Sequence, residues 1–253
     1  MKKKIIITLI IITLTLIIGL TGVFFYVYPK VRNKEILLND YFVKDSDIIG
    51  ADVSVYQGNI DFDVLATQNI KFVYIKATEG SIYQDVNFKT NWENANRSPL
   101  PCGAYHFFSY DSAGKTQADN FIETVGELKN ENLIPVVDVE YYGDKHINKP
   151  RKEDVVRELK SFVDEIEKRY GVKPMIYTRP DLYREYLKGD FDGCKKWITS
   201  LYYPIQWDYR DDWCLWQFTE LAELDGYWGD GKTIDLNILN RKMTLDELKV
   251  GKQ

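Results

Sequence analysis

The chain has 253 residues, of which 45% are hydrophobic, 28% are charged and 14% are aromatic. This composition is typical of globular domains and excludes a disordered or collagen-like chain. Three cysteines and two histidines are too few for a disulfide-built scaffold or a structural zinc site. Lys2, Lys3 and Lys4 open the chain, and the other 30 of its 33 basic residues stand against 38 acidic ones. Because such a surface repels phosphate backbones, we expect no nucleic-acid partner.

The first predicted element is an N-terminal membrane anchor, residues 1–28. The 24 residues from Ile5 to Tyr28 carry no charge. A helix of that length is about 36 Å long at ~1.5 Å per residue, which exceeds a hydrocarbon core of about 30 Å. A cleaved signal peptide is the alternative, but its apolar region is usually shorter and is followed by a small-x-small site, which residues 19–22 fit poorly. Basic residues flank the span on both sides, so the charges leave its orientation open.

The stretch 29–47 is polar and mixed and predicts a short stalk, followed by one domain over residues 48–253. In that domain short apolar runs alternate with helical patterns, which predicts a β/α barrel of parallel strands with an incomplete ring of helices. The last three strands are joined by loops too short for a good helix. Strands are expected at 48–54, 71–78, 103–108, 134–140, 173–178, 196–200, 214–219 and 234–238, and helices at 84–97, 114–130, 150–170 and 180–188.

Acidic residues stand at the ends of several predicted strands, where the chemistry of such barrels collects. The apolar run that begins at Pro135 carries Asp138 and Glu140. Side chains alternate along a strand, so these two carboxyls share one face, with Cα atoms about 7 Å apart. Gathered carboxylates repel one another and raise at least one pKa, which a general acid requires. The pair therefore predicts a catalytic site.

Three further acids, Asp52, Glu79 and Asp235, also stand near predicted strand ends. Each alone has a structural alternative, because a carboxylate can pair with a nearby Lys or Arg or cap a helix. For the Asp138 and Glu140 pair a functional interpretation is favoured, since perturbed acidic pairs in clefts are usually functional.

Several segments together resemble the family-25 glycoside hydrolases, the lysozymes of the Chalaropsis type. They cover residues 48–240 in the family's order: Asp52-Val53-Ser54 with Gln57-Gly58, Phe72 to Gly80, Gly103 to Phe107, Pro135 to Glu140, Tyr177-Thr178, Leu215 to Thr219 and Asp235-Leu236-Asn237. The resemblance implies a barrel of eight strands and five helices that cleaves the β-1,4 bond between N-acetylmuramic acid and N-acetylglucosamine. It also implies that Glu140 is the general acid, with Asp138 beside it and Asp52 and Asp235 completing the acidic site.

Substrate-binding roles are predicted for five side chains, which are Tyr105, Tyr177, Trp216, Gln217 and Glu79. The aromatic rings could stack on sugars, although rings in barrel strands are also ordinary core material. Gln217 and Asn237 could bind acetamido or hydroxyl groups of the substrate, or only the acids beside them. Trp92 is a weaker candidate for stacking.

His106 and the cysteines have structural interpretations beside their chemical ones. His106 could be a base, but a buried histidine bonded to an acid is favoured because the carboxylates fill both proton-transfer roles. Cys194 and Cys214 could pair outside a membrane, or stay free. Cys102 is expected to be a buried thiol.

These patterns predict a membrane-tethered muramidase whose barrel faces the cell wall, with peptidoglycan as its partner and a monomer favoured over an oligomer. No metal or cofactor is expected, because acid-assisted glycoside cleavage needs none. Two rivals stay open, an inactive peptidoglycan-binding relative and a hydrolase of another N-acetylated glycan. How a second carboxyl acts is also open: as nucleophile, as base, or as a partner to the substrate's own acetamido group, the option favoured here.

Overall fold

The computed structural model describes residues 2–33, 37–210 and 212–252. The N-terminal helix α1 spans Lys2–Arg32. Its stretch Lys4–Val31 is long and apolar enough to cross a membrane, and none of it is buried inside the protein. A signal sequence meets the same criterion. The anchor therefore stays a prediction, and part of the predicted stalk, residues 34–36, lies outside the described residues.

A closed barrel of eight strands forms the domain, as predicted. Its wall runs in the order β1, β2, β4, β5, β6, β7, β8, β9, and β1 pairs with both β9 and β2 to close it. A short additional strand, β3, forms a hairpin with β2. The strands are β1 Ile49–Val53, β2 Ile70–Glu79, β3 Tyr83–Gln84, β4 Cys102–Phe107, β5 Val136–Val139, β6 Met175–Thr178, β7 Lys196–Thr199, β8 Leu215–Ala222 and β9 Ile234–Leu239.

Five helices surround the described part of the barrel, and four of them lie where the sequence pattern places them. The longest, α5, buries one apolar face and ends at Gly171, whose φ of 74° suits a residue without a Cβ. Gly114 opens α4 where a Cβ would collide with the Glu158 carbonyl of α5, so these two helices pack closely. The helices are α2 Phe62–Thr67, α3 Phe88–Ala95, α4 Gly114–Val125, α5 Lys152–Tyr170 and α6 Pro180–Leu182, which continues as a π-helical turn Tyr183–Leu187.

One strand departs from the predicted parallel arrangement. β9 is antiparallel to both β8 and β1, so the expectation of an all-parallel barrel is wrong at this strand. The physical reason is the connection: residues 223–233 contain no helix, and a parallel return normally needs a crossover of a dozen residues or more. As a result the amino end of β9, rather than its carboxyl end, lies at the mouth of the barrel.

Two apolar layers stabilise the barrel. One fills its interior and includes Tyr74, Val136, Met175 and Trp197, and the other packs the outer strand faces against the helices. Residues on one strand alternate between these layers. Inside the barrel, polar side chains take the place of apolar ones only near the mouth, the end at which the cavity opens.

The predicted stalk is in part an ordered piece of the domain. Asn39 is fully buried and Asp47 accepts two hydrogen bonds from Arg241, at 2.6 and 2.8 Å. The segment 37–47 therefore packs on the barrel near β7 and β8, which no α-helix follows in the described residues. The domain boundary at residue 48 stays a prediction, and a composition shift alone does not reveal the buried contacts of Asn39 and Asp47.

Candidate active site

A cavity of about 230 Å³ opens at the mouth of the barrel, lined by residues of all eight barrel strands and of the loops that follow β1 and β5. All four predicted catalytic acids line it. The lining residues are Asp52, Ser54, Tyr56, Lys76, Tyr105, Phe107, Val136, Asp138, Glu140, Tyr177, Trp197, Gln217 and Asp235. The geometry thus brings together acids that are up to 183 positions apart in the sequence, Asp52 and Asp235.

Asp52 is held by two amide groups. Gln217 Nε2 and Asn237 Nδ2 donate to its Oδ2 at 3.2 and 2.7 Å. The orientation of Asn237 is fixed, because the indole N–H of Trp197 can only donate and does so to Asn237 Oδ1 at 2.8 Å. Tyr177 likewise donates to Gln217 Oε1 at 2.8 Å. Gln217 and Asn237 therefore bind the acids beside them, one of the two alternatives left open by the sequence.

Asp235 lies directly opposite Asp52 in the antiparallel β1–β9 pair. It accepts one hydrogen bond, from Gln217 Nε2 at 2.9 Å, whereas Asp52 accepts two. Burial raises the pKa of Asp52 to about 6, with the two amide donors opposing the rise. Burial and the neighbouring Asp52 charge raise the pKa of Asp235 to about 9. Of these two carboxyls, Asp52 is therefore the one that ionises first.

Asp138 and Glu140 lie on the interior side of β5 and just beyond it, as the alternation predicts. Asp138 is buried, and its Oδ1 has no hydrogen-bond partner among the residues that the structure describes. Burial and the nearby Glu140 charge hold the pKa of Asp138 well above its usual range. Burial also raises the pKa of Glu140 to about 7, although the positive charge of Arg179 opposes the rise. A protonated carboxyl near neutral pH is what a general acid needs.

The cavity continues into a larger groove of about 560 Å³. Glu140, Tyr177, Gln217 and Asp235 line both spaces, so two of the four acids, Glu140 and Asp235, lie at the junction between them. The outer part of the groove is lined by residues that follow β6 and β7, including Arg179, Ser200 and Tyr203. An extended groove with carboxyls at its inner end suits a chain-like substrate.

The five predicted substrate-binding residues have different positions. Tyr105, Tyr177 and Gln217 line the cavity. Glu79 does not; it forms an ion pair with Lys76 at 2.8 Å, and Lys76 lines the cavity instead. Trp216 is 2% exposed on the outer face of β8, and its indole donates to the Ser200 carbonyl at 3.0 Å. The predicted stacking role of Trp216 is therefore wrong, because neither ring face is open.

His106 is a structural residue rather than a base at the cavity. It lies on the outer face of β4 and contacts Thr78 Oγ1 at 2.7 Å and Gln117 Oε1 at 3.0 Å. The expectation that it bonds to an acid is wrong, since both partners are neutral. Burial lowers its pKa to about 4, so it stays uncharged at neutral pH.

The remaining alternatives concern the cysteines and Trp92. Cys102, Cys194 and Cys214 are all free thiols, and Cys102 is buried as predicted. Burial raises the pKa of the Cys102 thiol to about 11. Trp92 stacks on Phe88 at 5.5 Å between ring centroids and packs against the outer core, away from the cavity.

Trp197, Lys76 and Tyr56 line the cavity but were not singled out by the sequence. Trp197 lies on a strand whose alternation places it inward, in register with Tyr177 on the neighbouring strand. Once the strand order is known, this pairing with Tyr177 indicates that Trp197 also faces the cavity. Lys76 precedes Glu79 by three residues, and its alternation with Tyr74 also marks it as inward-facing.

Comparisons with known proteins agree with this geometry. The family model described as glycosyl hydrolases family 25 matches residues 51–227. A solved family 25 glycosyl hydrolase from Bacillus anthracis is 45% identical, with a TM-score of 0.72, over 79% of this chain and 93% of that one. The uncharacterised protein YegX of Escherichia coli K12 is 30% identical over 89% of this chain and 79% of its own length. Lysozyme M1 of Streptomyces globisporus is 27% identical over 77% of this chain and 68% of its own length.

Proposed function

Because the chain belongs to family 25 of the glycosyl hydrolases, we propose that it is a lysozyme that cleaves peptidoglycan. The bond cut is the β-1,4 linkage between N-acetylmuramic acid and N-acetylglucosamine. The observation that carries this proposal is the cavity in which four carboxyls, that of Asp138 buried and the other three partly buried, meet at the inner end of an open groove. A related protein, Lysozyme M1 of Streptomyces globisporus, supports the choice of substrate.

Glu140 is the proton donor in this proposal. A glycosidic oxygen leaves poorly unless it is protonated, and the raised pKa of Glu140, about 7, keeps a proton on its carboxyl near neutral pH. Its place at the junction of cavity and groove gives it access to a bond in a chain that lies along the groove.

The second chemical role goes to the substrate's acetamido group, with Asp138 as its partner. Asp138 lines the cavity, and its buried Oδ1 has no partner among the described residues, so we assign to this carboxyl the hydrogen bond from the acetamido N–H. Accepting that hydrogen bond orients the acetamido oxygen toward the anomeric carbon, where a positive oxazolinium forms. Asp52, the carboxyl of the β1–β9 pair that ionises first, adds negative charge beside that cation.

This mechanism predicts that the acetamido group is essential. Peptidoglycan whose N-acetylmuramic acid has been de-N-acetylated should be cleaved far more slowly than the acetylated polymer, with binding equal. Equal rates on the two polymers would exclude the acetamido group as nucleophile. A protein nucleophile or a base-activated water would then be the alternatives, and both require a second carboxyl at a defined distance.

The α1 helix anchors the enzyme in the cytoplasmic membrane with the barrel on the wall side. Support comes from the length of its apolar stretch and from the location of the substrate outside the membrane. The full-length protein should resist extraction by high salt and carbonate. Recovery of a mature protein that begins between Gly22 and Lys30 would instead identify a cleaved signal peptide. Protease added to cells without a wall should digest residues 48–253, and protection until lysis would reverse the orientation.

The decisive test of the activity is to identify the new reducing end that cleavage creates on the glycan strand. Purified walls treated with the enzyme should release reducing N-acetylmuramic acid ends. Binding without any new reducing end would support the rival of an inactive peptidoglycan-binding relative. Reducing ends from chitin but not from walls would support a hydrolase of another N-acetylated glycan.

A further inference from the structure

The chain that leaves α1 is fastened to the barrel near the groove. Asn39 donates from its buried Nδ2 to the carbonyls of Ser200 and Phe218, at 2.7 and 2.8 Å. The Phe218 carbonyl is available because the β8–β9 register shifts between Gln217 and Thr219. These two bonds join the N-terminal segment to the ends of β7 and β8, where no barrel helix covers the strands.

The connection from α1 to this point is short. Only four residues, 33–36, separate Arg32, the last residue of α1, from Leu37. A fully extended chain spans at most about 3.6 Å per residue, so the end of α1 lies within roughly 18 Å of Leu37. If α1 crosses the membrane, this covalent limit keeps the adjoining face of the barrel beside the lipid headgroups.

That face carries an aromatic patch, which we define as Tyr41, Phe42, Tyr203 and Trp207. Phe42 meets Trp207 edge to face at 5.9 Å between centroids, and Tyr203 stacks on Trp207 at 6.5 Å. Tyr41 is 81% exposed and Trp207 is 59% exposed. The patch thus joins residues of the N-terminal segment to residues that follow β7.

The patch also borders the groove. Tyr203 lines the groove together with Ser200, whose carbonyl accepts the bond from Asn39, and Glu140 lies at the inner end of the same space. A surface that binds the aromatic patch therefore also fixes the position of the groove.

We propose that the aromatic patch rests in the headgroup region of the bilayer that α1 spans, and that this contact holds the groove at the membrane surface. The proposal rests on the membrane anchor described under Proposed function. Tyr and Trp favour this region because their rings are apolar at one end and polar at the other. The short connection supplies an effective concentration in the millimolar range, so a weak affinity of the patch for lipid is sufficient. The substrate of this enzyme is then the peptidoglycan nearest the membrane.

The sequence provides a matched probe. All six tryptophans lie outside α1, at positions 92, 197, 207, 213, 216 and 228. Trp207, which is 59% exposed, belongs to the patch, whereas Trp228, which is 71% exposed, lies in the loop between β8 and β9 beside Asn59. A quencher placed in the lipid headgroup region should therefore distinguish them.

The test uses the full-length protein in phosphatidylcholine and phosphatidylglycerol vesicles that carry a nitroxide at a shallow acyl position. Tryptophan emission should be quenched in the wild type and in Trp228→Phe, and Trp207→Phe should lose at least half of that quenching. Equal loss in the two variants, or no loss in Trp207→Phe, would overturn the docking. All three proteins should float with the vesicles, and failure to float would refute the anchor rather than the docking.

A second measurement separates lipid from glycan as the occupant of the patch. Inserting 30 Gly and Ser residues between Lys34 and Glu35 should lower the Trp207 quenching on the order of tenfold, because effective concentration falls steeply with linker length. Cleavage of soluble wall fragments should not change. If Trp207 emission responds to soluble peptidoglycan fragments but not to the quencher lipid, the patch is a sugar-binding platform and the proposal is wrong.

Discussion

Two buried polar clusters lie on opposite sides of the barrel wall, and they differ in how completely their hydrogen bonds are made. On the outer face, His106 contacts Thr78 and Gln117, and the Gln117 amide also bonds to the backbone of Ser109 and Ser112. Inside the mouth, Asp138 Oδ1 has no hydrogen-bond partner in the described part of the chain. The outer cluster contains only neutral groups, because burial has lowered the pKa of its histidine to about 4.

The difference separates a stabilising cluster from a catalytic one. A buried polar group with all its hydrogen bonds made stabilises one arrangement of the core, whereas a buried carboxyl without partners costs stability. The cavity acids have raised pKa values for that reason, and the same desolvation makes proton donation possible near neutral pH. Substitutions in the inner cluster should therefore change activity, and matched substitutions in the outer cluster should change stability.

The largest effect is expected for Glu140→Gln. The amide keeps the shape of the side chain but has no acidic proton to give, so turnover should fall by about 10²- to 10⁴-fold. Binding to insoluble walls should stay within about twofold, because Gln preserves the polar contacts. Release of reducing ends and wall co-sedimentation measure the two quantities. A variant that keeps most of its turnover would remove Glu140 from the role of proton donor.

Gln217→Met tests the support of Asp52. The change removes an amide that donates to Asp52 and Asp235, while keeping the length of the side chain. Hydrogen bonds to charged groups contribute about 1.5–3 kcal/mol, so activity should fall about tenfold to hundredfold. Without this donor the pKa of Asp52 rises above 6, and the acid limb of the pH–rate profile should move to higher pH. An unmoved acid limb would mean that ionised Asp52 has no part in the reaction.

Gln117→Met makes the same substitution in the outer cluster. It leaves the Ser109 N–H and the His106 Nε2–H without their acceptor, at a cost of about 2–3 kcal/mol in the free energy of unfolding. Thermal denaturation should show the loss, while turnover at 25 °C on soluble wall fragments stays near the wild-type value. If activity falls and the melting temperature does not, the assignment of stability to the outer cluster and catalysis to the inner one is wrong.

The smallest effect concerns the pH dependence of stability. The pKa of Asp235 is raised from 3.8 to about 9 in the folded protein, so the stability it contributes is present below pH 4 and is lost as the pH rises toward 9. Asp235→Asn should therefore raise the melting temperature at pH 8 by roughly 2–4 °C and leave it unchanged near pH 3. For His106 the lowered pKa has the opposite sign, so its contribution is lost as the pH falls from 6.5 toward 4. A destabilised Asp235→Asn at pH 8 would show that this carboxyl is not strained by burial.

The alternation of side chains along strands predicted much of the site. Because successive side chains point to opposite faces, Asp138 and Glu140 share one face, however the rest of the chain folds. The same rule places Trp216 on the face opposite to Gln217, but which face is inward is set by the neighbouring strands. Aromatic character and a place near a strand end suggested a stacking residue there. The partners of His106 were missed because Gln117 comes from α4, and the packing of a helix on a strand leaves no local pattern.

The direction of β9 and the ordered part of the stalk also required tertiary information. A strand's periodicity is the same in both directions, although the helix-free connection 223–233 was a usable sign of an antiparallel return. Segment 37–47 is polar in composition, and its attachment depends on Asn39 meeting carbonyls at positions 200 and 218. Hydrogen bonds over such separations cannot be inferred from one sequence.

The most direct test of the central claim is the ionisation of Glu140 itself. Carbon-13 NMR of protein labelled at the glutamate side-chain carboxyl, with the signal assigned by its absence in Glu140→Gln, follows that group through a pH titration. Burial in the cavity predicts an apparent pKa of about 7, which leaves the proton in place for the glycosidic oxygen. A pKa near 4.5, the ordinary value for glutamate, would mean that the carboxyl is ionised at neutral pH, and the account of Glu140 as proton donor would be contradicted.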